Sequence, residues 1–255
     1  MNIINIKDKE FYLVAILIMM FFGISAATIT GSAVRDAIFL IKYEKKFLPL
    51  MYVIIALVMT FVIEIYKRIS TNKNPSTFFV LSGSFFIASL FVFHQNLFGP
   101  MVPFLYVWVE VITIIIILQF WMLASELLDT RQAKRIFPII TAGGSFAAIG
   151  SGYLIKPFVK YYGSENLLLP TIGFLALSIF AGQLLKRYIP KKVSPKQTTV
   201  SKTKIKNHKL EPYLKHIAIM IACSAFISRV TDYQFKVMAS NAFPLQNDLV
   251  SFFGT

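Results

Sequence analysis

Six charged residues within long apolar stretches of this sequence are its candidates for chemistry. They are Arg35, Asp36, Glu110, Arg229, Asp232 and Lys236. A charge at the centre of a bilayer costs about 2.5–3.5 kcal/mol on insertion scales, so each of these residues needs a partner or a water-filled path. Guanidinium and ammonium groups bind phosphate and carboxylate oxygens through charge-assisted hydrogen bonds. The residue types therefore predict a site that binds an anionic small molecule.

The depth of Arg35, Asp36 and Glu110 depends on where the helices around them end. Glu110 is nine residues from the start of its apolar stretch, which places it about 14 Å below the surface at about 1.5 Å per helical residue. If the first helix continues to Ile41, Arg35 lies about 9 Å below that surface, and the two charges can meet. If it ends at Val34, Arg35 and Asp36 are ordinary interfacial charges.

Arg229, Asp232 and Lys236 are spaced three and four residues apart, which places them on one face of a helix. A charged stripe inside an apolar helix usually faces a cavity, and this is the interpretation we favour. The alternative is an amphipathic helix that lies in the membrane interface.

The remaining reactive residue types form no enzyme-like pattern. The three histidines and the carboxylates show no metal-ligand spacing and no pairing of a nucleophile with a base. Cys223 is the only cysteine, so an intrachain disulfide is excluded. We therefore predict no enzyme, no cofactor and no metal site.

Glycines are concentrated between residues 141 and 152, but this segment does not match a phosphate-binding loop. No Gly-Lys-Ser/Thr follows the glycines. Small residues in an apolar stretch usually allow two helices to approach closely. We therefore predict that Gly144 and Gly150 pack against a neighbouring helix.

The elements that carry these residues are membrane spans. The 255 residues are 56% hydrophobic and 15% aromatic, above the usual apolar share of a soluble domain. A span requires about 20 mostly apolar residues, and six stretches meet this requirement, with a seventh starting near Tyr213. The six are Phe11–Val34, Phe47–Tyr66, Phe78–Leu97, Met101–Ser125, Ile136–Ile155 and Asn166–Leu185. The predicted fold class is an all-α integral membrane protein, with residues 1–185 forming a six-helix bundle.

Residues 186–212 are predicted to form a basic linker on the cytoplasmic side. Between positions 186 and 209 there are nine lysines and arginines and no acidic residue. Counted over alternate sides of the spans, one side collects 17 basic residues and the other 6. Because positive residues stay inside, the N-terminus and the linker are expected in the cytoplasm. The membrane is expected to be a bacterial cytoplasmic membrane. The linker suits anionic lipid headgroups, and no nucleic-acid partner is expected.

A short internal repeat suggests a second half. Residues 34–40 match residues 230–236 at Val, Asp and Phe, where a second six-helix half would begin in a protein built from two parallel repeats. Residues 213–255 are therefore expected to be the start of a truncated second half. The rest of that half is expected to be missing or separately encoded.

The segment between the fourth and fifth spans resembles that of the bacterial and plastid ATP/ADP translocases. The matching residues are Phe120-Trp121, Ala124, Ala133-Lys134-Arg135, Phe137-Pro138, Gly143 and Gly152. The sequence Arg35-Asp36 followed by Phe47-Leu48-Pro49 and the position of Glu110 also look like that family. Arg35 stands where the family would have Lys, and Ser125-Glu126 replaces a polar Asn-Gln pair.

The resemblance implies a nucleotide exchanger with a fold like the major facilitator superfamily and alternating access at a central cavity. In such a protein Lys134 and Arg135 would belong to a cytoplasmic loop motif, and the six charged residues would contact the substrate. Two other functions stay open. One is a carrier of the same fold with another solute, with proton coupling as one option, and the other is a membrane scaffold or inactive fragment.

Overall fold

The computed structural model of the chain describes residues 8–70, 74–96, 99–186 and 211–254. The described chain is helical: α1 (Asp8–Lys42), α2 (Leu48–Ser70), α3 (Pro75–Gln95), α4 (Val102–Leu127), α5 (Thr130–Tyr162), α6 (Leu168–Leu185), α7 (Glu211–Ala242) and α8 (Gln246–Gly254). Single turns of 3-10 helix precede α2, α4 and α6. The predicted all-α membrane fold is confirmed, since α1 to α7 are long and apolar enough to cross a membrane.

The first helix does not stop at Val34. It runs on to Lys42, so Arg35 and Asp36 lie within a continuous helix and are both buried. This settles the choice left open by the sequence in favour of burial. The seventh helix, for which the sequence indicates only a start near Tyr213, is a full helix of 32 residues.

Helix α1 lies at the centre of the bundle, in contact with α4, α5 and α6. It approaches α6 closely at Gly23, where an added Cβ would lie 2.7 Å from the backbone oxygen of Phe174. Seven residues, or about two turns, further along α1, the hydroxyl of Thr30 accepts a 2.9 Å hydrogen bond from Thr171. This close packing holds α1, and with it Arg35 and Asp36, in a fixed position.

The prediction of two packing glycines on α5 is half right. A Cβ on Gly144 would overlap the ring of Phe21 on α1, so this glycine is required for the contact. The prediction for Gly150 is wrong, because a Cβ there would meet nothing within 4 Å. Gly150 lies on the outer surface of α5, next to the exposed side chains of Phe146, Ile149 and Leu154.

Helix α5 begins earlier than its apolar stretch indicates. Asp129 and Gln132 form a capping box, in which the backbone N–H of Asp129 donates a 3.0 Å hydrogen bond to the side-chain oxygen of Gln132. This cap starts the helix at Thr130. Lys134 and Arg135, predicted to be part of a loop motif, therefore lie in the first turns of α5, and the loop assignment is wrong.

The last helix, α8, was not predicted. It is only nine residues long, too short for a span, and it packs against α1 and α5. Leu249 and Val250 are fully buried in this contact. The predicted linker at 186–212 lies almost wholly outside the described residues.

Candidate functional site

The buried charges of α1 and α4 form a direct ion pair. The guanidinium of Arg35 donates one hydrogen bond to Glu110 on α4 and another, of 3.1 Å, to its neighbour Asp36. The three side chains are at most 12% exposed. Because α1 is continuous to Lys42, Arg35 lies deep enough to reach Glu110. The observed ion pair confirms the predicted meeting of Arg35 with Glu110.

Helix α7 adds its charged stripe to the same pair. Arg229 donates a 3.1 Å hydrogen bond to the second carboxylate oxygen of Glu110. Seven residues further along α7, the Lys236 ammonium lies 3.1 Å from Asp36 and 2.8 Å from Asp232. The structure therefore brings all six predicted residues into one cluster, and the charged face of α7 points into the bundle at this level.

Two tyrosines belong to the cluster and were missed by the sequence reasoning. The hydroxyl of Tyr52 on α2 donates a 2.8 Å hydrogen bond to Asp232. The ring of Tyr106 on α4 lies 4.8 Å from the Arg35 guanidinium, a cation–π distance. Tyr106 precedes Glu110 by four residues and shares its helical face. This spacing could have identified Tyr106 from the sequence. Tyr52 has no charged residue near it in α2, so nothing in the sequence marks it.

The cluster is electrically balanced. Its three cations are each paired with a carboxylate, and its three carboxylates are each paired with a cation. The charges alternate from Arg229 through Glu110, Arg35, Asp36 and Lys236 to Asp232. Such alternation limits the cost of burying charge, because each charge lies next to one of opposite sign. Removal of one member would leave a neighbour uncompensated.

The two ends of this chain of charges differ from its middle in exposure. The side chain of Arg229 is 48% exposed and that of Asp232 is 33% exposed, whereas Lys236 is 6% exposed. A ligand that approaches from outside the cluster therefore meets Arg229 first. Arg229 also forms part of the wall of a groove of about 630 Å³ between α2, α4 and α7. The other side chains that line this groove are mostly apolar.

A second ionic contact joins α1 to α5 near the opposite end of α1. Glu10 accepts a 2.7 Å hydrogen bond from Arg135 and a 2.8 Å hydrogen bond from Gln132. Lys134, the other predicted member of this motif, is exposed. The contact is too far along the helix from Arg35 to belong to the charged cluster, and it links the start of α5 to the start of α1.

Among the described residues, no group of three or more His, Cys, Asp or Glu is arranged to hold a metal ion. The carboxylates of the charged cluster are each occupied by a cationic side chain.

Known proteins similar to this chain are carriers. The chain is 24% identical over 185 residues to ADP,ATP carrier protein 3 of Rickettsia bellii, a match that covers 59% of this chain and 37% of the relative. It is 24% identical over 172 residues to ADP,ATP carrier protein 3 of Rickettsia prowazekii, covering 55% and 34%. It is also 24% identical over 161 residues to ADP,ATP carrier protein 2, chloroplastic, of Arabidopsis thaliana, covering 56% and 26%.

The matched region thus corresponds to little more than a third of the length of the bacterial relatives, at 37% for the first of them. No protein-family profile matches the chain. No solved structure matches it either. The resemblance to the bacterial and plastid ATP/ADP translocases predicted from the sequence is confirmed, as a divergent similarity that covers part of the chain.

Proposed function

We propose that this chain forms part of a membrane transporter that exchanges nucleotides, with ATP and ADP as the first substrates to test. The observation that carries the proposal is the gathering of Arg35, Arg229 and Lys236 from two helices into one cluster. Guanidinium groups match phosphate oxygens in geometry as well as in charge. The similar proteins are named as ADP,ATP carriers, which agrees with a phosphorylated substrate.

The proposed substrate competes with carboxylates for the cations. A phosphate that reaches Arg229 takes the place of Glu110, whose Oε1 lies 3.1 Å from that guanidinium. When the substrate leaves, Glu110 returns to Arg229, and this half-exposed cation is paired again. The carboxylates therefore act as internal stand-ins for the substrate in its absence.

The same contacts suggest how α7 moves in an alternating-access cycle. The cluster members on α1 and α4 are one cation and two carboxylates, whereas those on α7 are two cations and one carboxylate. Two ion pairs, Arg229 with Glu110 and Lys236 with Asp36, join the two groups. Separation of α7 from α1 and α4 would leave one excess positive charge on α7 and one excess negative charge on α1 and α4, and the α7 surface would then favour an anion.

We further propose that more helices complete the transporter, from a continuing chain or a separately encoded second half. The relatives are much longer than the region they share with this chain. In this proposal the protein lies in a bacterial cytoplasmic membrane with its N-terminus and linker in the cytoplasm. The proposed orientation rests on the 17 to 6 distribution of basic residues.

A second candidate is a carrier of the same kind with a less highly charged solute. The balanced charges of the cluster favour it, because three cations are already matched by three carboxylates. A solute with both a cationic and an anionic group would exchange with these pairs without a change in net charge. The two candidates differ in the solute that drives exchange.

Counterflow of radiolabelled ATP in proteoliposomes that contain the complete transporter tests the first candidate. We expect vesicles loaded with unlabelled ATP or ADP to take up labelled ATP, and Arg229→Gln to slow the initial rate at least about tenfold. Lys156→Gln, which removes an exposed basic residue on α5, is the control and should leave the rate unchanged. If well-folded protein gives no exchange of ATP, the nucleotide proposal fails, and uptake of zwitterionic solutes becomes the next measurement.

A further inference from the structure

The groove between α2, α4 and α7 has a charged end and an apolar body. Its volume is about 630 Å³, within the range of about 300–1,000 Å³ usual for small-molecule sites. Arg229 is the basic residue in its wall, and the lining also includes Tyr52, Phe226 and Tyr233. A ligand that fits both parts has an anionic group next to an apolar one.

The position of Tyr52 connects the groove to the charged cluster. Its hydroxyl is held by Asp232 at 2.8 Å, and its ring centroid lies 5.6 Å from the Arg229 guanidinium and 5.7 Å from the Lys236 ammonium. The hydrogen bond restrains the phenol, so the ring presents a defined face. Aromatic faces stack on planar rings, and the half-exposed Arg229 is placed to bind an anion attached to such a ring.

We propose that this groove is the subsite for the planar aromatic part of an anionic cargo, with Tyr52 as the stacking residue and Arg229 at the phosphate end. The inference deepens the proposed function and rests on it. It adds that the site distinguishes a nucleotide from a bare polyphosphate, because the groove offers apolar surface that polyphosphate cannot use. Nothing in the charged cluster alone would produce this preference.

Equilibrium binding to the purified chain in detergent tests the inference. The probes are radiolabelled ATP and, as competitor without a base, inorganic tripolyphosphate. We expect ATP to bind at least about tenfold more tightly than tripolyphosphate, since stacking on one base contributes about 1–3 kcal/mol. Tyr52→Phe keeps the ring and should retain this ratio, whereas Tyr52→Leu should bring the ratio close to one.

A pair of neighbouring substitutions on α2 controls for general damage. Ala56 lines the groove, whereas Leu57 is 58% exposed and is outside the groove lining. Ala56→Trp fills the groove and should weaken ATP binding at least about tenfold while tripolyphosphate binding changes little. Leu57→Trp adds a ring of the same kind to the outer surface and should change neither.

The outcomes separate this inference from the proposed function. If ATP and tripolyphosphate bind the parent equally, the groove is no base subsite, although the anion site stands. If neither binds, the proposed function fails and the inference fails with it. Unchanged ATP affinity in Ala56→Trp with a lower melting temperature would show that the groove packs against another helix. Displacement of bound ATP by phosphatidylglycerol, but not by phosphatidylcholine, would assign the groove to an anionic lipid.

Discussion

Arg35 on α1 and Glu110 on α4 form a buried ion pair although they are 75 residues apart in the sequence. Both lie in helices that are long enough to span a membrane. The pair is joined at one end by Asp36 and at the other by Arg229. Glu110 binds both arginines, and Asp36 binds Arg35 and Lys236, so removal of either carboxylate affects two cations of the cluster.

Neutralising Glu110 is expected to impair transport and to weaken the fold. Among the residues that the structure describes, Glu110→Gln leaves Arg229 without a charged partner and Arg35 with only Asp36. We expect the initial uptake rate to fall at least about tenfold and the free energy of unfolding to fall by about 1–3 kcal/mol, below the 3–5 kcal/mol typical for a buried pair that loses one partner. Counterflow and melting in detergent measure the two effects.

A double-mutant cycle shows whether Arg35 and Glu110 act as a pair. The variants are Arg35→Gln, Glu110→Gln and the double substitution, compared by melting and by uptake. Residues in direct contact usually couple by about 0.5–3 kcal/mol, and we expect a value in this range. The charge swap Arg35→Glu with Glu110→Arg should recover part of the lost stability. Strictly additive effects would mean that the two residues act separately.

The two glycines of α5 provide a matched test of packing. Gly144→Leu places a side chain against Phe21 and Ser25 on α1, so we expect destabilisation of about 1–3 kcal/mol, typical of overpacking. Gly150→Leu points into open space, and the better helix propensity of leucine should leave stability unchanged or slightly higher. Thermal unfolding in detergent compares the two variants. A lower melting temperature for Gly150→Leu would indicate that a further helix covers this surface.

The different outcomes for these glycines show that an apolar sequence predicts membrane spans but not which face of a span packs against another helix. The existence of the spans and the meeting of Arg35 with Glu110 followed from length and depth, because charge is expensive in lipid. The partner of a given glycine did not follow, since lipid-facing and helix-facing surfaces are both apolar in a membrane helix. Tyr52 was missed for a related reason: its role depends on a hydrogen bond to α7, a contact 180 residues away in sequence.

The position of the basic linker is a prediction that the described residues do not address. We expect Lys196→Cys, in a Cys223→Ser background, to be protected from an impermeant thiol reagent added outside intact cells. The same cysteine should react after the membrane is permeabilised, which serves as the control for its reactivity. Labelling from outside would reverse the proposed orientation and would place the N-terminus outside as well.

The contact between Glu10 and Arg135 is expected to fix the start of α5 to the start of α1. Arg135 is partly buried and donates a 2.7 Å hydrogen bond to Glu10, whereas its neighbour Lys134 is exposed. We expect Arg135→Gln to lower the free energy of unfolding by about 1 kcal/mol, since the pair lies between exposed pairs of about 0–1 kcal/mol and fully buried ones. Lys134→Gln removes the same charge from the adjacent position and should have little effect. Melting in detergent measures both, and equal melting temperatures would mean that the ion pair contributes nothing to holding the two helices together.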